Sequence, residues 1–128
     1  MNVILKGEYL KVVEQLKIKE TQDLLIVSIK HQRLYHQKED KSVKTYVAST
    51  SLKAPSCKED SLGTPWGLHE VCEVIGAEEP LGMVFQGRMP IGLNYWDCEE
   101  AMQQKNLITS RILRLIGLQE GLNLGGEQ

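Results

Sequence analysis

A chain of 128 residues makes one domain, or part of one, because two independent cores need more residues than this. Fifteen Lys and Arg against seventeen Asp and Glu leave a formal charge of -2, which argues against the basic face that nucleic acid requires and gives no reason to invoke an anionic membrane surface. A hydrophobic fraction of 41% with 25% charged residues argues against wholesale disorder, collagen and coiled coil, and apolar runs of only a few residues argue against a membrane span.

The first residues, MNVILKGEYLK, place Glu8 where a secretory signal should still be apolar, so no signal peptide is expected. Tyr9, Val12, Val13 and Leu16 then fall at helical spacing and predict a short amphipathic helix over about residues 7–17, with Lys11, Glu14, Gln15 and Lys17 on its polar face. Residues 1–22 read as a helical arm packed on the β segments after it, the alternative for its stripe being a partner or a membrane surface.

From residue 23 the character is β. Leu24 to Ile29 is a β-branched run short enough for a strand covered on both faces. Gln32 to Gln37 continues as a half-exposed strand, Lys38 to Lys44 is a solvated turn of mixed charge, and Ser42 to Thr50 alternates, so the three segments predict a β-hairpin arrangement. Residues 49–63 have no usable period and form a long loop, a feature often tied to function in small domains. The loop ends in Gly63-Thr64-Pro65-Trp66-Gly67, a rigid corner in which Pro65 fixes its own φ and biases Thr64 towards extended backbone.

A strand is expected over Leu68 to Ile75, a turn at Ala77 to Gly82, and a short strand over Met83 to Gln86. Asp97 and Glu100 form a capping pair for a helix from Cys98 to about Gln104. Leu107 to Ile116 fits both helical and strand spacing and is read as strand for its Ile and Thr content. The fold class is therefore mainly β, with an N-terminal helix and one short internal helix.

These segments, in this order over about residues 23–126, resemble the L,D-transpeptidase catalytic domain of the YkuD type, a β-rich, sandwich-like fold that works on bacterial peptidoglycan. The resemblance rests on Leu24 to Ile29, on Gln32-Arg33-Leu34-Tyr35, on Tyr46 to Ser51, and most sharply on Gly63-Thr64-Pro65-Trp66-Gly67-Leu68-His69, similar to the family's Thr-Pro-x-Gly corner. Gly82 to Phe85, Ile108 to Leu113 and Gly117-Leu118 come in the expected order. The resemblance implies acyl transfer from a stem peptide through a cysteine thioester, a cell-envelope location, no cofactor, and substrate contacts from Thr64, Trp66, Gly67, His69 and Arg111.

The family's His-Gly dipeptide and Ser-His-Gly-Cys signature do not occur among the 128 residues. The resemblance then implies the N-terminal portion of a domain without its catalytic segment, inactive alone and open to self-association or to completion by a C-terminal segment. The alternative is a non-catalytic module that binds a ligand or partner. Three cysteines, an odd and sparse set, imply no disulfide framework. Cys57 is a loop thiol that Lys58 would help ionise, Cys72 a small core residue of its strand, and Cys98 a structural residue at a helix start where Glu99 and Glu100 oppose a thiolate. His69-x-x-Cys72 lacks the second ligand pair a zinc site needs. His31, His36, Arg111 and Arg114 read as solvent-facing, with carboxylate binding the sharper alternative for the two arginines, and Trp66 as a packing lid or a platform for a saccharide.

Overall fold

The computed structural model describes residues 3–105 and 107–124. The chain is mainly β, with eight strands in three antiparallel sheets and two α-helices among the described residues. It divides into two compact units, Met1–Leu68 with Gln119–Asn123, and His69–Leu118 with Leu124–Gln128.

The first unit begins with α1 (Val3–Leu16). Val13 is buried, Tyr9 and Val12 are half-buried, and Leu16 at the end of the stripe is exposed. The helix closes in a Schellman motif: the Lys17 amide donates to Glu14 O (3.2 Å) and the Ile18 amide to Val13 O (3.2 Å), with Lys17 left-handed at φ 56°. Three strands come next, β1 (Leu24–Ser28), β2 (Arg33–Gln37) and β3 (Val43–Val47), paired in the order β1-β2-β3. The expected coverage of β1 on both faces is not met, because Leu24, Ile26 and Ser28 are shielded while Leu25 and Val27 are 40% and 47% exposed. An antiparallel meander needs cover on one side only, and a continuous apolar run does not distinguish that case from a doubly covered strand.

At the β2–β3 turn, Asp40 Oδ1 accepts from the Ser42 hydroxyl (2.5 Å) and the Ser42 amide (2.9 Å). The hydroxyl bond first, and the amide second, hold the Asp40 carboxyl below its ordinary range.

The second unit holds β4 (His69–Ile75) paired with β8 (Ile112–Gly117), and a three-stranded sheet in the order β6-β5-β7. Here β5 is Met83–Gln86, β6 is Met89–Asn94 and β7 is Ile108–Thr109. Its core is Met83, Val84, Phe85 and Cys98. The expected single strand over Leu107 to Ile116 is broken at Ser110, which sits at φ 72° between β7 and β8. The expected cap at Asp97 is also corrected. Tyr95–Asp97 forms a 3-10 turn, and α2 (Glu100–Gln103) starts after Glu99, with no side-chain cap bond. Cys98 ends the turn instead of opening the helix, its amide donating to Tyr95 O (3.2 Å).

Candidate functional site

The long loop of the first unit is stitched by hydroxyls. The Ser51 hydroxyl donates to Leu62 O (2.5 Å), the Ser51 amide donates to Thr64 Oγ1 (2.9 Å), and the Ser56 amide donates to Thr64 O (3.1 Å). At the loop's entry the Thr50 amide donates to Gln32 Oε1 (3.0 Å) while Gln32 Nε2 donates back to Thr50 Oγ1 (2.8 Å). A segment without periodicity thus acquires a defined shape from short polar side chains bonding nearby main chain.

The corner it delivers, Thr64 to Leu68, is held from the far end of the chain. Asn123, only 4% exposed, donates through Nδ2 to Trp66 O (2.9 Å) and Leu68 O (3.2 Å), and its Oδ1 accepts from the Gln119 amide (2.9 Å). Gln119 Oε1 accepts from the Leu68 amide (2.6 Å). Gly67 sits at φ +93°, and a Cβ there would lie 2.8 Å from Asn123 Nδ2, so the clamp closes only over glycine. Thr64 is spent inside the loop, and Trp66 presents its ring half-exposed to solvent.

Thr64, Trp66 and Gly67 are therefore gathered on one corner of the first unit. The other two residues singled out for substrate contact lie in the second unit. His69 is half-buried at the start of β4, opposite Gly117 of β8. Arg111 donates through Nη1 to Glu79 O (3.0 Å) and Ser110 O (2.6 Å), tying the β7–β8 break to the turn after β4. The expectation that both arginines face solvent is not met. Arg111 is half-buried on main-chain carbonyls, and Arg114 donates through Nη1 to Glu73 Oε2 (2.8 Å) with 19% of its side chain exposed. The antiparallel register sets Arg114 directly opposite Glu73, which gives the guanidinium its partner across the strand pair. His36 is likewise half-buried, its Nε2 lying 2.8 Å from Asp23 Oδ1.

Each of the three thiols is directed at a main-chain carbonyl. Cys57 Sγ donates to Trp66 O (3.6 Å) and accepts from the Trp66 amide (3.4 Å), clipping the loop to the corner. Cys98 Sγ donates to Asn94 O (3.3 Å) from a buried position. Cys72 Sγ donates to Arg114 O (3.4 Å) but is exposed, not the core residue expected. Its position explains this: the β4–β8 register runs Val71↔Leu115 and then Glu73↔Arg114, so Cys72 is the extra residue of a β-bulge.

A groove of about 510 Å³ in the second unit is bordered by Glu73, Val74, Gly76, Phe85, Arg88 and Pro90, and none of the five residues singled out for substrate contact lines it. Among the described residues no group of three or more His, Cys, Asp or Glu is placed to hold a metal ion, and no helix is long and apolar enough to cross a membrane.

Asn123 and Gln119 are the positioning residues that sequence reasoning missed. They lie in a glycine-rich tail with no motif, 57 and 51 residues from the atoms they hold. Comparison with protein-family models, with curated proteins and with solved structures found no match to this chain.

Proposed function

We propose that this chain carries the substrate-side scaffold of an L,D-transpeptidase-type domain of the bacterial cell envelope, without a nucleophile of its own among these residues. The supporting observation is the Thr64 to Leu68 corner. The segment on which the resemblance is sharpest is also one clamped from the far end of the chain, held by Asn123 and Gln119 around a glycine at φ +93°. A rigid corner with a half-exposed aromatic ring suits recognition of an extended peptide, since little ordering entropy is lost on binding.

The implied reaction has a thiolate attack the amide carbonyl after the third residue of a stem peptide. D-alanine leaves, and the thioester passes to an acceptor amine. Such a thiol must be near an imidazole and free to reach substrate. Cys57 is instead committed to both main-chain groups of Trp66. The same commitment favours a second reading, a module that binds stem peptide or another ligand and performs no chemistry.

Titration with a soluble stem tetrapeptide, followed by amide chemical shifts, tests the common core of both readings. Shifts should concentrate at Thr64 to His69 and disappear in Trp66→Ala. Shifts scattered over the chain, or none at saturating peptide, would rule out peptidoglycan as the ligand.

A further inference from the structure

The outer edge of β3 is an open strand with an unusual sequence. Among the described residues β3 pairs only with β2, and every residue of Val43–Val47 is exposed, Val47 at 78%. Which main-chain groups face outwards is set by the two bonds that flank the ladder. The Lys38 amide donates to Ser42 O (2.9 Å) and the Ala48 amide donates to Gln32 O (3.1 Å). The register between them, Arg33↔Val47 to Gln37↔Val43, is unbroken. In an antiparallel ladder hydrogen-bonded positions recur every second residue. Ser42, Lys44, Tyr46 and Ala48 therefore turn their N–H and C=O groups to β2, and Val43, Thr45 and Val47 turn theirs to the open side.

We propose that this edge is a docking surface for a second copy of the chain, joined β3 to β3 in an antiparallel, two-fold arrangement centred on Thr45. The strand reads Val-Lys-Thr-Tyr-Val, so rotation about Thr45 sets Val43 against Val47 of the second copy, Lys44 against Tyr46 and Thr45 against itself. All three outward-facing residues then fall in hydrogen-bonded pairs, each pair exchanging two main-chain bonds. A centre lying between two residues would set outward-facing against inward-facing residues and make none of these bonds, and a centre on Lys44 would set two lysines face to face.

The side chains agree with the same register. Valine pairs and a threonine pair are favourable cross-strand neighbours, and Lys44 meets an aromatic ring in place of another lysine. The next pairs out, Ser42 with Ala48 and Lys41 with Ser49, bring no like charges together. Natural sheet edges are guarded by proline, a bulge or a projecting lysine. This strand has no proline and no register break, and Lys44 leans over its own Tyr46, with Nζ 5.4 Å from the ring centroid, instead of projecting from the edge. The two-fold axis makes the contact self-closing, which yields a dimer and not a fibre. Such a dimer would form whether or not the chain acts on peptidoglycan.

Five residues a side make a small interface, so the dimer is a weak one, with Kd on the order of 10–100 µM. Sedimentation equilibrium of the full 128-residue chain, from well below to well above that range, is the test. The average mass should rise to that of a dimer and stop there. Thr45→Pro removes an outward N–H and no bond to β2, so it should weaken association about tenfold or more with an unchanged far-UV spectrum. Thr45→Glu and Thr45→Lys should each be monomeric alone and should dimerise when mixed, an outcome that misfolding does not produce. A mass independent of concentration, growth beyond a dimer, or Thr45→Pro associating as tightly as the parent chain would each overturn the proposal.

Discussion

Asn123→Ala is expected to destabilise the first unit by about 2–4 kcal/mol. The residue is nearly fully buried, and its amide serves three main-chain groups: Trp66 O, Leu68 O and the Gln119 N–H. A buried group left without its bond costs about 1–3 kcal/mol, and the three are neighbours, so their losses add incompletely. Asn123→Asp sharpens the test. It keeps size and the Oδ1 acceptor but turns a carboxylate oxygen on two carbonyl oxygens, so it should be at least as damaging as alanine. Urea denaturation reads the global loss, and hydrogen exchange at the Leu68 amide reads the local one. A midpoint unchanged in both variants would mean that the corner holds itself together without the tail.

In the second unit the largest effect belongs to Phe85→Ala, expected to cost about 3–5 kcal/mol. Phe85 is 3% exposed on β5, the central strand of its sheet, opposite Pro90 of β6 and Ile108 of β7. Its ring also covers the Gly76 backbone, where an added Cβ would lie 2.6 Å from the Phe85 Cζ. No other phenylalanine exists in the chain, and the buried apolar residues of this unit are few, so little remains to refill the cavity. Phe85→Leu should lose about 1–1.5 kcal/mol by keeping most of the volume. Equal losses in Leu and Ala, measured by thermal unfolding, would show that the aromatic ring itself and not the filled space matters.

The segments whose local chemistry agrees with their role are legible in the sequence. The strands β1 to β3 arise from alternation and β-branching, β5 from a short apolar run, and α1 from its stripe. Where physics acts across the chain, local reading fails. Strand β6 escapes it because Pro90 and Gly92 read as breakers, yet β6 is an edge strand, where a missing N–H is tolerated. Cys72 looks like core because Val71 and Val74 surround it, and only the pairing with β8 exposes the bulge. The 3-10 turn displaces the expected cap because its bonds, such as Cys98 N–H to Tyr95 O, are made by main chain that any residue supplies. The corner at Gly63 to His69 is legible as a rigid turn, but its clamp is not, since Asn123 and Gln119 gain their meaning from residues more than fifty positions away.

If the thiols of this chain are structural and its corner recognises without reacting, no covalent intermediate should ever form on it. Intact-mass spectrometry after incubation with a stem tetrapeptide or a carbapenem-type acylating probe addresses this directly. The expected spectrum is the unmodified mass at all times, with Cys57, Cys72 and Cys98 all recovered unmodified after digestion. An acyl adduct that accumulates on Cys57 and clears when an acceptor amine is added would contradict this and make Cys57 the nucleophile.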